Sequence, residues 1–201
     1  LSLTIHAIGD RAIRDVLDVL SEVQGEQPSA LRHRIEHVQC LHPDDIHRLA
    51  QLGVIASMQP PHIMDDWAVA DRVWGQRARY AYAFRSLLDA GANLAFGSDC
   101  PVAPLNPLLG IQAAVLRQDR EGRPTGGWYP AERLTVAEAV RGYTLGAAYA
   151  VGLEDVLGSI TPGKLADMVV LSGDIFTIPP EEISDTQVDY TIFDGQIVPG
   201  M

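Results

Sequence analysis

Residues 34–58 read RIEHVQCLHPDDIHRLAQLGVIASM, and this stretch decides the fold. Arg34-Ile35-Glu36-His37-Val38 has the short, alternating texture of a β-strand. Pro43-Asp44-Asp45 then opens a helix, with a proline where no N–H is required and two acids at the positive end of the dipole. That helix buries Ile46 and Leu49 and stops at Gly53. Val54-Ile55-Ala56-Ser57-Met58 is a second strand. Two strands joined by a helix through short turns form a parallel pair, because a return to the same edge needs a crossover.

The unit recurs on both sides. Upstream, residues 1–6 read as a strand already under way at the first residue, and Gly9-Asp10 makes the turn, with Asp10 as N-cap. Ile13, Val16, Leu17, Leu20 and Val23 form one helix face, which Gly25 stops and Pro28 keeps from resuming. Downstream, the loop Gln59-Pro60-Pro61-His62 and an aromatic, charged stretch lead to a helix face of Phe84, Leu87 and Leu88, ended by Gly91. A strand over 93–97 follows, closing in Ser98-Asp99. Residues 100–130, rich in proline and glycine, read as a long functional loop around a helix near 108–118. Thr135 caps a helix bearing Val136, Ala139 and Val140, and 145–151 continues helical. From Gly158 the texture turns to short strands, 168–171 and a hairpin over 190–198. The expected architecture is α/β: residues 1–157 as the four-stranded C-terminal half of a (β/α)₈ barrel, and residues 158–201 as part of a small β-sandwich.

Three residues stand where such a barrel places its chemistry. His6, His37 and Asp99 each end or follow a predicted strand. His37 comes 31 residues after His6, and Asp99 comes 62 after His37; a barrel of about 250 residues gives roughly 31 per βα unit. The spacing puts them on the first, second and fourth strands, at the face that carries active sites. Imidazole nitrogen and carboxylate oxygen suit zinc and other divalent first-row metals. Each also has a plainer reading: a strand-end histidine is often structural, and Asp99 could cap the next segment. Unit spacing of all three favours a site.

IHAIGDRA at 5–12, RIEHVQ at 34–39, SMQPPH at 57–62 and FGSDCPV at 96–102 resemble the amidohydrolase superfamily, most closely its YtcJ-like, amidohydrolase family 3 branch. GSITPGKLADMVVL at 158–171 and TIFDGQIV at 191–198 are similar to the return of such chains into their β-sandwich. The resemblance implies His6 and His37 as metal ligands on barrel strands 5 and 6. It implies Asp99, on strand 8, as a ligand that also takes a proton from a metal-activated water. The implied reaction is hydrolysis of a C–N bond, an amide of a small molecule, with zinc as the metal and iron or manganese as alternatives. The family's HxH motif on strand 1 and its strand 4 ligand have no counterpart here, so this chain alone is expected to be inactive. A non-catalytic binding or regulatory relative that has lost its metal is the alternative.

His62 either contacts substrate, polarising its carbonyl, or is a surface histidine. Arg34 and Glu36 alternate with Ile35, so they share a side and are expected to pair. Asp10 and Arg11 are placed at the rim of the site, while His42 and His47 are expected to face solvent. Trp67, Trp74, Tyr80 and Tyr82 either line an apolar pocket or pack beneath a loop. Gly158–Lys164 nearly matches a phosphate loop, but Leu165 replaces the hydroxyl residue and a strand follows, so it is rejected. No Gly-x-Ser-x-Gly elbow is present.

The net charge of −11 argues against nucleic-acid or anionic-membrane partners, which need clustered cations. No apolar run nears the roughly 18 residues that span a bilayer. Two cysteines do not make a disulfide framework, so Cys40 and Cys100 are expected as thiols in the cytoplasm; any leader would lie upstream. Half a parallel barrel leaves strand edges and an apolar interior open. The expected partners are therefore the missing N-terminal half of the barrel, from the same parent or another chain, and further copies in a homo-oligomer.

Overall fold

The computed structural model describes residues 1–24 and 31–198. Two sheets organise it. The first takes one strand from each repeat: β1 (Thr4–Ala7), then helix α1 (Asp10–Gln24), β2 (Arg34–His37), α2 (Ile46–Leu52), β3 (Ile55–Met58), α3 (Ile63–Trp74), α4 (Phe84–Asp89) and β4 (Leu94–Phe96). Its strands are parallel and lie in the order β1-β2-β3-β4, with Ile5 opposite Ile35, Arg34 opposite Ile55 and Ala56 opposite Leu94. Sequential order with a helical crossover between neighbours is how consecutive strands of a (β/α)₈ barrel are laid down.

The helices cover one face of this sheet. Ile13, Leu17 and Leu20 of α1 are buried, whereas Val23, expected on the same face, is 78% exposed in the helix's last turn. The proposed stops at Gly25 and Pro28 fall outside the described residues. Asp10 is the first residue of α1 and not the one before it; its carboxylate still accepts the Arg11 N–H at 2.9 Å. A 3-10 turn at Pro43–Asp45 opens α2, and Gly53 closes it at φ 65°, where a side chain would be strained.

The stretch after β3 differs from the expected loop. Pro60–His62 forms a 3-10 turn that runs into the twelve-residue α3. Proline is tolerated in a first turn, and Asp65 and Asp66 favour the positive end of the helix dipole. Ile63, Met64 and Ala70 are buried, with Trp67 and Trp74 packed against the same core.

Beyond β4, α5 (Pro107–Leu116) is capped by Asn106, and α6 (Val136–Arg141) by Thr135 and Glu138 in a capping box. A π-helical turn, Gly142–Gly146, leads into α7 (Ala147–Ala150). A Cβ at Gly142 would lie 2.4 Å from the Phe96 ring, and one at Gly146 2.1 Å from the Leu94 carbonyl oxygen. Only glycine lets this helix lie against β4. The second sheet is antiparallel: β5 (Met168–Leu171), β6 (Val188–Phe193) and β7 (Gln196–Val198), in that order. Lys164 of the rejected phosphate loop donates to the backbone carbonyls of Leu157, at 3.0 Å, and Glu154. Among the described residues no helix is long and apolar enough to cross a membrane.

Candidate metal centre

His6 lies on β1 opposite Glu36 of β2, so the two share a face of the sheet. Glu36 is held by Arg34 at 2.7 Å, the pair expected from alternation. On the same alternation His37 would share the opposite face with the fully buried Ile35, among the helices. It does not. His37 has φ 75° and Val38 φ 44°, both left-handed, and the twist swings the His37 ring over the strand end. Its centroid lies 4.5 Å from that of His6, edge to face. Left-handed backbone costs a non-glycine residue about 1–2 kcal/mol, and most for a β-branched one such as Val38.

His62, at the end of the 3-10 turn after β3, brings a third imidazole, stacked 6.2 Å from His37. Asp99 lies three residues past β4, left-handed at φ 57°, and is exposed. Burial pushes the His37 pKa down, and His6 and His62 push it the same way; the Asp99 charge and a Gln59 hydrogen bond oppose them.

Whether these residues suit a cation can be judged from their unmet bonds. His37 Nδ1 and His62 Nε2 are buried and without a hydrogen-bond partner. An unsatisfied buried polar atom costs about 1–3 kcal/mol, and a divalent cation or a bound substrate would relieve it. The donor set fits, but only as part of a site. Among the described residues no three His, Cys, Asp or Glu side chains gather so as to hold a metal ion.

The remaining candidates separate. Asp10 pairs with Arg77 at 2.8 Å, which holds its carboxyl below the usual range against the cost of burial. It lines a cleft of about 830 Å³ with His42, Arg79, Tyr80 and Tyr129. Arg11 pairs with Asp15 at the surface. His42 does not simply face solvent: its Nδ1 accepts the Asp44 N–H and lies 2.8 Å from an Arg14 nitrogen, because the 3-10 turn needs a cap. His47 is exposed as expected. Trp67, Trp74 and Tyr82 pack into the core. Cys40 is buried and Cys100 exposed, both free. Sequence reasoning gave no role to Gln39, Gln59 or Asp66, although the quoted RIEHVQ and SMQPPH stretches contain the first two, and it named Tyr82 only as a pocket or packing residue; Gln59 stands beside His37, and Asp66 joins Gln39 to Tyr82.

The sequence profile of the amidohydrolase family matches residues 1–199. The YtcJ protein of Bacillus subtilis is 36% identical over 98% of this chain and 37% of its own length. An N-substituted formamide deformylase of Arthrobacter pascens is 32% identical over 97% of this chain and 36% of its own. A crystal structure of an uncharacterized metal-dependent hydrolase from Pyrococcus horikoshii superposes with a TM-score of 0.76 at 33% identity, covering 90% of this chain and 35% of that one. The chain therefore spans little more than a third of the length of these relatives.

Proposed function

Because the chain belongs to the amidohydrolase family, we propose that it is the C-terminal portion of a metal-dependent hydrolase that cleaves a C–N bond in a small amide. The observation that carries this reading is the convergence of the His6 and His37 rings, 4.5 Å apart, with His37 Nδ1 buried and unpartnered. The A. pascens and P. horikoshii proteins, named for deformylation and for metal dependence, support the reaction class and the cofactor.

In this reading residues 1–157 are the second half of the barrel and 158–201 a segment of the accompanying β domain. His6 and His37, with Asp99 at the mouth of β4, would supply part of the ligand set of a divalent cation, zinc in the first instance, and the half of the barrel outside this chain would complete it. When bound, such a cation lowers the pKa of water and polarises a carbonyl. Asp99, an exposed carboxylate at the strand mouth, would accept the proton from the attacking water and deliver it to the departing nitrogen. His62, whose ring stacks 6.2 Å from that of His37, would contact the substrate and polarise its carbonyl. The Arg34–Glu36 pair keeps the β2 backbone in place beneath them. The protein works in the cytoplasm, where Cys40 and Cys100 stay reduced, and assembles with further copies.

The test is made on the full-length protein. Metal analysis is expected to find a divalent cation, and His6→Ala and His37→Ala are each expected to lose it along with hydrolysis of a panel of N-acyl amines. A full-length protein without bound metal, or His37→Ala retaining the wild-type metal content, overturns the reading.

A further inference from the structure

Asp66 is hydrogen-bonded to none of His6, His37 and His62, yet it connects the segments around them. It lies on α3, one helical turn beyond His62. Its Oδ2 accepts the Tyr82 hydroxyl at 2.6 Å and also the side-chain amide of Gln39. Gln39 is two residues past His37 and nearly buried, at 8% exposure. Its backbone carbonyl accepts the Tyr82 N–H at 2.9 Å. Tyr82 is itself left-handed, φ 49°, and its own carbonyl is held by Arg117 Nη1 at 2.7 Å.

His37, Val38 and Tyr82 are thus three left-handed residues, and the segments that carry them are joined through the Asp66 carboxylate by Gln39 and Tyr82. Left-handed backbone at non-glycine positions persists only where surrounding contacts over-determine it. Two of the contacts are local: Val38 N–H to the Ala7 carbonyl at 3.2 Å and Cys40 N–H to that of Ile8 at 2.9 Å. These tie the turn to β1. Nothing in them fixes it against α3, where His62 stands. The Gln39–Asp66–Tyr82 bonds do that, and because Gln39 and Tyr82 are buried, losing the shared acceptor strands two donors.

We propose that Asp66 is a positioning residue: through Gln39 and Tyr82 it sets the His37 ring relative to His6 and to the His62 end of α3. Its geometric content is independent of the preceding section; its functional meaning rests on the reading of His6 and His37 as ligands.

The experiment uses the full-length protein, metal-free, with ring-labelled histidine, and reads the proton–proton contact between the His6 and His37 rings by NMR. Asp66→Ala is expected to weaken or abolish that contact. Asp66→Asn is expected to restore it, because both donors converge on Oδ2 and one amide oxygen can accept both. Chelator competition in the same variants reads zinc affinity, expected to fall about tenfold or more in Asp66→Ala and to return in Asp66→Asn. With an N-acyl amine substrate, kcat falls and KM holds. A folded Asp66→Ala that keeps both the ring contact and the zinc affinity overturns the proposal. If Asp66→Ala does not fold, Tyr82→Phe, which removes one donor without a cavity, carries the same test, and an unchanged ring contact in it is equally fatal. A wild-type protein that binds no zinc sinks the hydrolase reading, while the ring contact still decides the role of Asp66.

Discussion

Replacing Val38 by glycine sets backbone strain against burial at one residue. Val38 is fully buried at 0% exposure and left-handed at φ 44°. Removing its side chain forfeits about 2 kcal/mol of apolar burial, and glycine in the unfolded chain adds about 0.5–1 kcal/mol against folding. Relief of the left-handed conformation returns about 1–2 kcal/mol. The net loss is therefore about 0.5–2 kcal/mol. Val54 supplies the control: it is as buried, at 1% exposure, and its backbone is not left-handed. Val54→Gly loses the same burial and entropy with nothing returned, about 3 kcal/mol. Urea denaturation of the two full-length variants at constant m-value reads the difference. Val38→Gly should cost less by about 1–2 kcal/mol and still reduce turnover, since a glycine no longer locks the turn that aims His37. Equal destabilisation by the two substitutions would refute the strain argument, and unimpaired turnover in Val38→Gly would refute its link to the site.

Other outcomes follow from the same geometry. Asp99→Asn in the full-length protein should leave the denaturation midpoint unchanged, because Asp99 is exposed, and should cut hydrolysis by about 10²–10⁴-fold; wild-type turnover would remove Asp99 from the mechanism. Dialysis against a chelator should abolish activity and added zinc, iron or manganese should restore it; activity that survives metal removal counts against the cation. Glu138 is held by Arg85, chiefly through their hydrogen bond, which brings its pKa from 4.5 to about 2. With both side chains nearly a third exposed, screening leaves the pair about 1 kcal/mol. Since the folded pKa is depressed, that stability is present above pH 4.5 and lost as pH falls through about 2. The deficit of Glu138→Gln should therefore be seen at neutral pH and vanish in strong acid, and a deficit independent of pH would show that the charge is not its source.

Much of the barrel was legible because its signals are local. Gly53 after α2, Thr135 with Glu138 at the start of α6, and the recurring strand-to-strand interval each depend on a handful of neighbouring residues. Helix α3 was missed for a local reason too: Pro60-Pro61 and two tryptophans look like a loop until the first-turn tolerance for proline and the acids at 65 and 66 are counted as a helix start. The orientation of His37 is a different matter. The repeat spacing places the residue at the strand end that carries active sites, beside His6 as expected, but strand alternation alone does not explain it, since two residues after the buried Ile35 it points back among the helices. Nothing in a valine at 38 announces a left-handed backbone, and valine argues against one. What reverses the ring is tertiary: Gln39 reaches Asp66, 27 residues away, and Asp66 meets Tyr82, 16 further on. The orientation of His37 is thus set by α3 and the segment after it rather than by the strand that carries it. A change at Asp66 or Tyr82 should consequently disturb His37 more than a conservative change at Arg34 or Glu36, though these two share its strand.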